Sequence, residues 1–78
     1  MFQGLITQAL QERKLLEMTY VDAKGQHTIR VVEPYEIKEG KLFAHCIAKN
    51  GIRAFKLDSI VNMAMQPKTF EPRHEIKI

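Results

Sequence analysis

The dipeptide Asn50-Gly51 constrains this chain more than any other pair of residues in it. Both residues tolerate positive φ, and Asn-Gly between two apolar-rich runs is the strongest short-range signal for a tight antiparallel hairpin. The runs are Leu42 to Ala48 and Ile52 to Leu57, within KLFAHCIAKNGIRAFKLDSI from Lys41 to Ile60. If the turn holds only Asn50 and Gly51, counting sets the register: Lys49 faces Ile52, Ala48 faces Arg53, Ile47 faces Ala54, Cys46 faces Phe55, His45 faces Lys56 and Ala44 faces Leu57. Alternation then puts Ala44, Cys46, Ala48, Leu57, Phe55 and Arg53 on one surface, and Phe43, His45, Ile47, Ala54, Lys56 and Asp58 on the other. Both surfaces are largely apolar, which predicts a central element packed on each side.

The remaining segments are built around that hairpin. Phe2, Leu5, Ile6, Ala9 and Leu10 recur at helical spacing against Gln3, Gln8, Gln11 and Glu12, predicting an amphipathic helix over about 2–13. Its polar side is mostly glutamine, so it suits a cover for a small sheet better than a membrane surface. Leu16, Met18 and Tyr20 alternate with Glu17 and Thr19 as a first strand, and Asp22-Ala23-Lys24-Gly25 follows as a turn. A second strand runs from about His27 to Val32, where Pro34, lacking an N–H, is expected to close it. Tyr35 to Lys38 reads as a short strand turning at Glu39-Gly40, and Ile60 to Met65 as the last. From Gln66 the tail holds Pro67 and Pro72 and is not expected to be regular. One helix followed by five or six short antiparallel strands predicts a mainly β (α+β) fold, a strongly bent sheet closing or nearly closing into a barrel.

Composition bounds the rest. At 78 residues the chain is one domain, and a domain that small buries only about 60% of its unfolded surface, so the core is thin. The four methionines, Met1, Met18, Met63 and Met65, suit that core or a contact surface. Hydrophobic residues at 45% and charged residues at 27% exclude a disordered chain. No apolar run reaches the roughly 18 residues of a membrane span, and the N-terminus lacks a signal-peptide pattern, which points to the cytoplasm. Cys46, the single cysteine, has no intrachain disulfide partner; His45 beside it points to the opposite face of the strand, which argues against a Cys-His dyad. His27, His45 and His74 show no metal-ligand spacing with it. Without a nucleophile and base, a carboxylate pair or a Gly-rich phosphate loop, the chain reads as no enzyme and needs no cofactor. A formal charge of +3 permits anionic partners without requiring them.

The segments TIRVVEPYEI and LFAHCIAKNGIRAFKLDSI carry a family pattern. A strand bearing an Arg leads into Glu-Pro, and a later strand of the type L-x-A-aromatic-C runs through a turn into R-x-F-[RK]-L-D-R-I. Arg30, Glu33, Pro34, Leu42, Ala44, Cys46, Arg53, Phe55, Lys56, Leu57, Asp58 and Ile60 match, and the chain resembles the WYL domain over most of its length. It departs where the naming Trp-Tyr pair falls on Gly40 and Lys41, where His45 stands as the aromatic before the cysteine, and where Ser59 replaces the Arg of L-D-R-I. The resemblance implies an Sm-like small β-barrel used as a sensing module, commonly attached to a helix-turn-helix domain in transcription factors or to CRISPR effectors. Such a module binds nucleic acid or nucleotide-like anions through basic and aromatic residues. The chain has no room for a helix-turn-helix, so it reads as a free-standing WYL-like domain or a fragment of something larger, acting in transcription regulation or phage defence.

Arg30, Arg53 and Lys56 are the candidate anion contacts, with His45 and Tyr20 as polar or stacking partners. Arg offers a planar fork to phosphate, and single-strand recognition combines positive groups with π faces. In the two-residue-turn register Arg53 lies opposite His45 and Lys56, so convergence of all three requires a sharp bend or a bulge. Each residue has an alternative reading. Arg53 and Lys56 can lay their stems on the sheet with the charge in water, His45 can be a hydrogen-bonded core histidine, Arg30 can pair with Glu33 or Asp58, and Tyr20 can be core. The competing function is self-assembly or protein interaction through unpaired edge strands, as a homodimer or larger homo-oligomer, with a DNA-binding protein as a further partner.

Overall fold

The computed structural model describes residues 2–78, so Met1 lies outside the described residues. Helix α1 spans Gln3–Glu12 and buries Ile6, Ala9 and Leu10, which lie three and four residues apart on one face. It ends where Arg13 takes a left-handed conformation (φ 56°) and donates its N–H to the Ala9 carbonyl. Strand β1 (Lys14–Val21) starts directly after this cap, two residues before the alternating pattern that marks it in the sequence.

Strands β2 (His27–Lys38), β3 (Lys41–Cys46), β4 (Gly51–Lys56) and β5 (Ile60–Thr69) complete one antiparallel sheet in the order β4-β3-β2-β1-β5. Its inner face carries Leu16 and Met18, Val32, Leu42, Ala44 and Cys46, Phe55, Ile60 and Met63, all buried with the apolar side of α1. This is the mainly β, helix-plus-five-strand architecture that the alternation predicts. Register shifts in the β1–β5 and β2–β3 pairs bend the sheet. Among the described residues no ladder joins β4 to β5, so these strands are edges. No helix there is long and apolar enough to cross a membrane.

The Asn50-Gly51 hairpin forms in a different register from the one counted. Cys46 faces Gly51, His45 faces Ile52, Ala44 faces Arg53, Phe43 faces Ala54, Leu42 faces Phe55 and Lys41 faces Lys56. The connection is four residues, Ile47 to Asn50, closed by the Asn50 N–H on the Ile47 carbonyl at 3.2 Å. Asn50 supplies the left-handed residue (φ 50°), and Gly51 opens β4. A two-residue slip on each strand leaves alternation unchanged, so the two faces hold within β3 and β4 while every partner changes; Ile47 and Ala48 lie in the connection, and Leu57 and Asp58 in a 3-10 turn after β4, outside either face. The hairpin is also not central. β4 is an edge whose Ile52, Arg53, Ala54 and Lys56 are exposed, and only Phe55 is buried.

Pro34 does not end β2. The strand continues to Lys38 because the ladder to β3 is already interrupted there: Pro34 faces Ala44, Glu36 faces Phe43, and Tyr35 is the extra residue between them. The predicted third strand is thus the second half of β2. The two-residue turn sits at Glu39-Gly40, both with positive φ (54° and 73°), between Lys38 and Lys41. A Cβ on Gly40 would meet nothing within 4 Å, so the cost of Gly40→Ala is conformational alone. We expect a loss of about 1 kcal/mol, read as a lower denaturation midpoint at unchanged slope.

β5 likewise runs through Pro67 to Thr69, which an edge strand tolerates. Beyond it, Phe70 to Ile78 form no regular element but lie against the sheet as a strap. The Phe70 N–H bonds the Arg13 carbonyl (3.0 Å), the Lys77 N–H bonds the Tyr35 carbonyl (2.8 Å), and Ile76 packs on the core.

Candidate anion-binding site

β1 and β2 place Tyr20 and Arg30 on the inner face beyond the packed core. Arg30 lies opposite Met18, and Tyr20 opposite Thr28, whose hydroxyl donates to the Tyr20 carbonyl at 3.3 Å. Phe55 of β4 meets the Tyr20 ring edge to face, with centroids 5.2 Å apart and planes at 80°. Such a contact fixes both rings beyond their burial alone.

The Arg30 guanidinium is held unusually. Its Nη1 donates to Cys46 Sγ at 3.9 Å, a weak acceptor, while its Nε is buried with no hydrogen-bond partner. It forms neither of the ion pairs that the sequence allows, with Glu33 or with Asp58; the one ion pair among the described residues joins Glu33 to Arg73. A buried guanidinium N–H without an acceptor costs on the order of 1–3 kcal/mol unless something supplies one. Arg30 thus keeps an unmet donor on the same face as the Tyr20–Phe55 pair.

Arg53 shares this face, since it lies opposite Ala44 two residues from Phe55, and its side chain is exposed. His45 and Lys56 do not share it. His45 is buried on the outer face between Glu33 and Ile52, and Lys56 is exposed opposite Lys41 on that same side. Of the five candidates the structure thus brings Tyr20, Arg30 and Arg53 to one face and His45 and Lys56 to the other. No bend or bulge overcomes the alternation between them.

Two features of the surroundings have no signal in the sequence. Cys46 is adjacent to Arg30 only because β3 pairs with Val32 of β2. On the outer face, Glu33 is buried and accepts from the Tyr35 hydroxyl (3.0 Å) and from Arg73 Nε (3.1 Å), and the Arg73 N–H donates to the Tyr35 hydroxyl (2.8 Å). The Tyr35 ring packs edge-on against Phe70 and His74. Residues 38 positions apart are joined here across a tail whose composition predicts no order.

Burial raises the Tyr35 phenol above its ordinary pKa; the Arg73 N–H opposes this and the bond to Glu33 adds to it. In the unfolded chain the phenol ionises near pH 10, whereas in the fold it keeps its proton to higher pH. The unfolded chain therefore binds fewer protons above about pH 10, and stability falls as pH climbs through the folded-state value. Urea denaturation at about pH 8 and about pH 11 is expected to show an alkaline loss that Tyr35→Phe diminishes.

Comparison with known proteins gives the family. Over 69 residues the chain is 33% identical to the uncharacterized HTH-type transcriptional regulator YobV of Bacillus subtilis (strain 168), covering 83% of this chain and 22% of that protein. The chain thus spans about a fifth of that relative's length. The proteasome accessory factor B/C (PafBC) of Arthrobacter aurescens superposes with a TM-score of 0.77 at 26% identity, over 86% of this chain and 11% of that one. Residues 3–65, from the first turn of α1 into β5, match the model of the WYL domain, and the chain belongs to the WYL domain family.

Proposed function

We propose that this chain is a non-catalytic sensing module of a cytoplasmic regulatory system, taking single-stranded nucleic acid or a nucleotide-like anion at its inner face. The observation that carries this reading is Arg30, whose buried Nε lacks an acceptor and whose Nη1 has only a thiol. Arg30 would grip a phosphate, Tyr20 and Phe55 would offer π faces, and exposed Arg53 would add charge at the rim. A role in transcription regulation, with a DNA-binding protein as partner, is supported by the likeness to YobV, itself described as an HTH-type regulator.

Labelled single-stranded DNA and RNA, titrated at two salt concentrations, test the reading. Binding is expected at low salt and should weaken as salt rises, because phosphate contacts release counterions. Absence of binding to any oligonucleotide or nucleotide at low salt would refute it.

Assembly with a second copy is the other reading, favoured by a specific surface. Ile29, Ile47 and Ile52 are 70%, 45% and 46% exposed, and β4 and β5 are unpaired edges. Exposed apolar groups beside open edges invite pairing between chains. Light scattering should then report a dimer or larger species, and a strict monomer at high concentration would remove this reading.

A further inference from the structure

Beyond Phe70, each hydrogen bond recorded between the strap and the sheet ends on Glu33 or Tyr35 of β2. Arg73 reaches Glu33 through Nε (3.1 Å) and Nη2 (3.5 Å), the Arg73 N–H reaches the Tyr35 hydroxyl, and the Lys77 N–H reaches the Tyr35 carbonyl. Phe70 and His74 clasp the Tyr35 ring, with centroids 5.7 and 5.1 Å away. The strap therefore hangs on two residues of one strand, Glu33 and Tyr35, which flank Pro34 at the point where the ladder to β3 is broken.

The same strand carries Arg30 on its opposite face, three residues before Glu33. Val31 and Val32 lie between them; Val32 pairs with Leu16 and Cys46, and Cys46 is also the thiol that Arg30 touches. The strap in turn forms one wall of a groove of about 480 Å³ on the outer face, with Phe70, Pro72 and Arg73 opposite Leu15, Glu33 and Ile47.

We propose that the strap is the element through which the inner-face site reports. This rests on the proposed function, since it assigns an output to the same anion site. An anion on Arg30 fixes β2 and its pairing with β3, so less ordering remains to be paid when the strap settles on Glu33 and Tyr35. Ligand and strap then favour each other, and the outer groove is firmest when the inner site is filled. Reciprocity follows: whatever the ligand does to the strap, loosening the strap does to the ligand.

The test follows amide hydrogen exchange at Arg73 and Lys77, with and without a saturating short oligothymidylate at low salt, alongside fluorescence anisotropy with the same labelled probe. Protection of both amides is expected to rise about five-fold on binding. Tyr35→Phe, which removes the hydroxyl but keeps the ring, should weaken binding of the probe by up to the same factor; Glu33→Gln serves as a second variant that loosens the strap from its other anchor. Oligothymidylate that binds while the two amides exchange unchanged overturns the strap's role and leaves the anion site standing. Variants with a loosened strap and unaltered affinity do the same. Failure of the probe to bind at all overturns both.

Discussion

Leu16→Ala is expected to cost about 2–5 kcal/mol, the range for emptying a fully buried aliphatic site. Leu16 has no exposed surface, and it sits on β1, which ladders to both β2 and β5, opposite Val32 on one side and Met65 on the other. A domain of this size has roughly 4–12 kcal/mol to lose at ordinary stability per residue, so the variant gives up about a sixth of it or more. Chemical denaturation reads the loss as a lower midpoint at unchanged slope. Ile29→Ala is the contrast, since Ile29 is 70% exposed on the outer face and its change should stay within about 0.5 kcal/mol. Equal losses at the two positions would mean that the inner face is not the core.

Arg30→Met should separate binding from stability. Methionine keeps a long stem against Cys46 and Met18 but brings no N–H, so the buried donor without an acceptor disappears. Relieving it should leave stability unchanged or raise it by about 1 kcal/mol, at the lower end of the cost of an unsatisfied buried donor because Arg30 is only partly buried. Affinity for single-stranded DNA at low salt should fall about 10- to 100-fold, the loss of one charge-assisted phosphate contact of roughly 1.5–3 kcal/mol. Arg53→Met, at an exposed position on the same face, should cost much less affinity and reduce the salt dependence by about one contact. An Arg30→Met protein that binds as well as the parent would remove Arg30 from the site.

What could be read without coordinates followed from local chemistry. Helical spacing from Phe2 to Leu10, the Asp22–Gly25 turn and the alternation of inner and outer residues are decided within a few positions. At the turn, Asp22 Oδ1 accepts from Lys24 and Gln26 and Gly25 takes φ 81°, as its residue types favour. Hairpin register was less legible, because Asn50 fits the last place of a four-residue connection as well as the first of a two-residue one. The I′-like turn was hidden in Glu39-Gly40, where only Gly40 advertises positive φ. Pro34 misled because its penalty applies to an unbroken ladder, and nothing nearby announces the bulge that removes it.

The candidate site was legible in part for the same reason. Alternation shows that Arg53 lies opposite His45 and Lys56, but which of the two groups Arg30 joins depends on the pairing of β2 with β3. That long-range pairing puts Arg30 beside Cys46 and gives Glu33 to Arg73 instead. A strap of nine residues with two nearby prolines reads as loose until the carboxylate and phenol that receive it are seen.

The position of β1 in the middle of the sheet has a consequence during synthesis. The first strand of the domain to be synthesised takes its second neighbour from the last, with Lys14 paired to Thr69. Until that final strand emerges, one flank of β1 has nothing to bond to and Met18 and Leu16 lack part of their cover. Nascent chains should therefore stay vulnerable to proteases until β5 has emerged, and this domain should fold in one step rather than strand by strand.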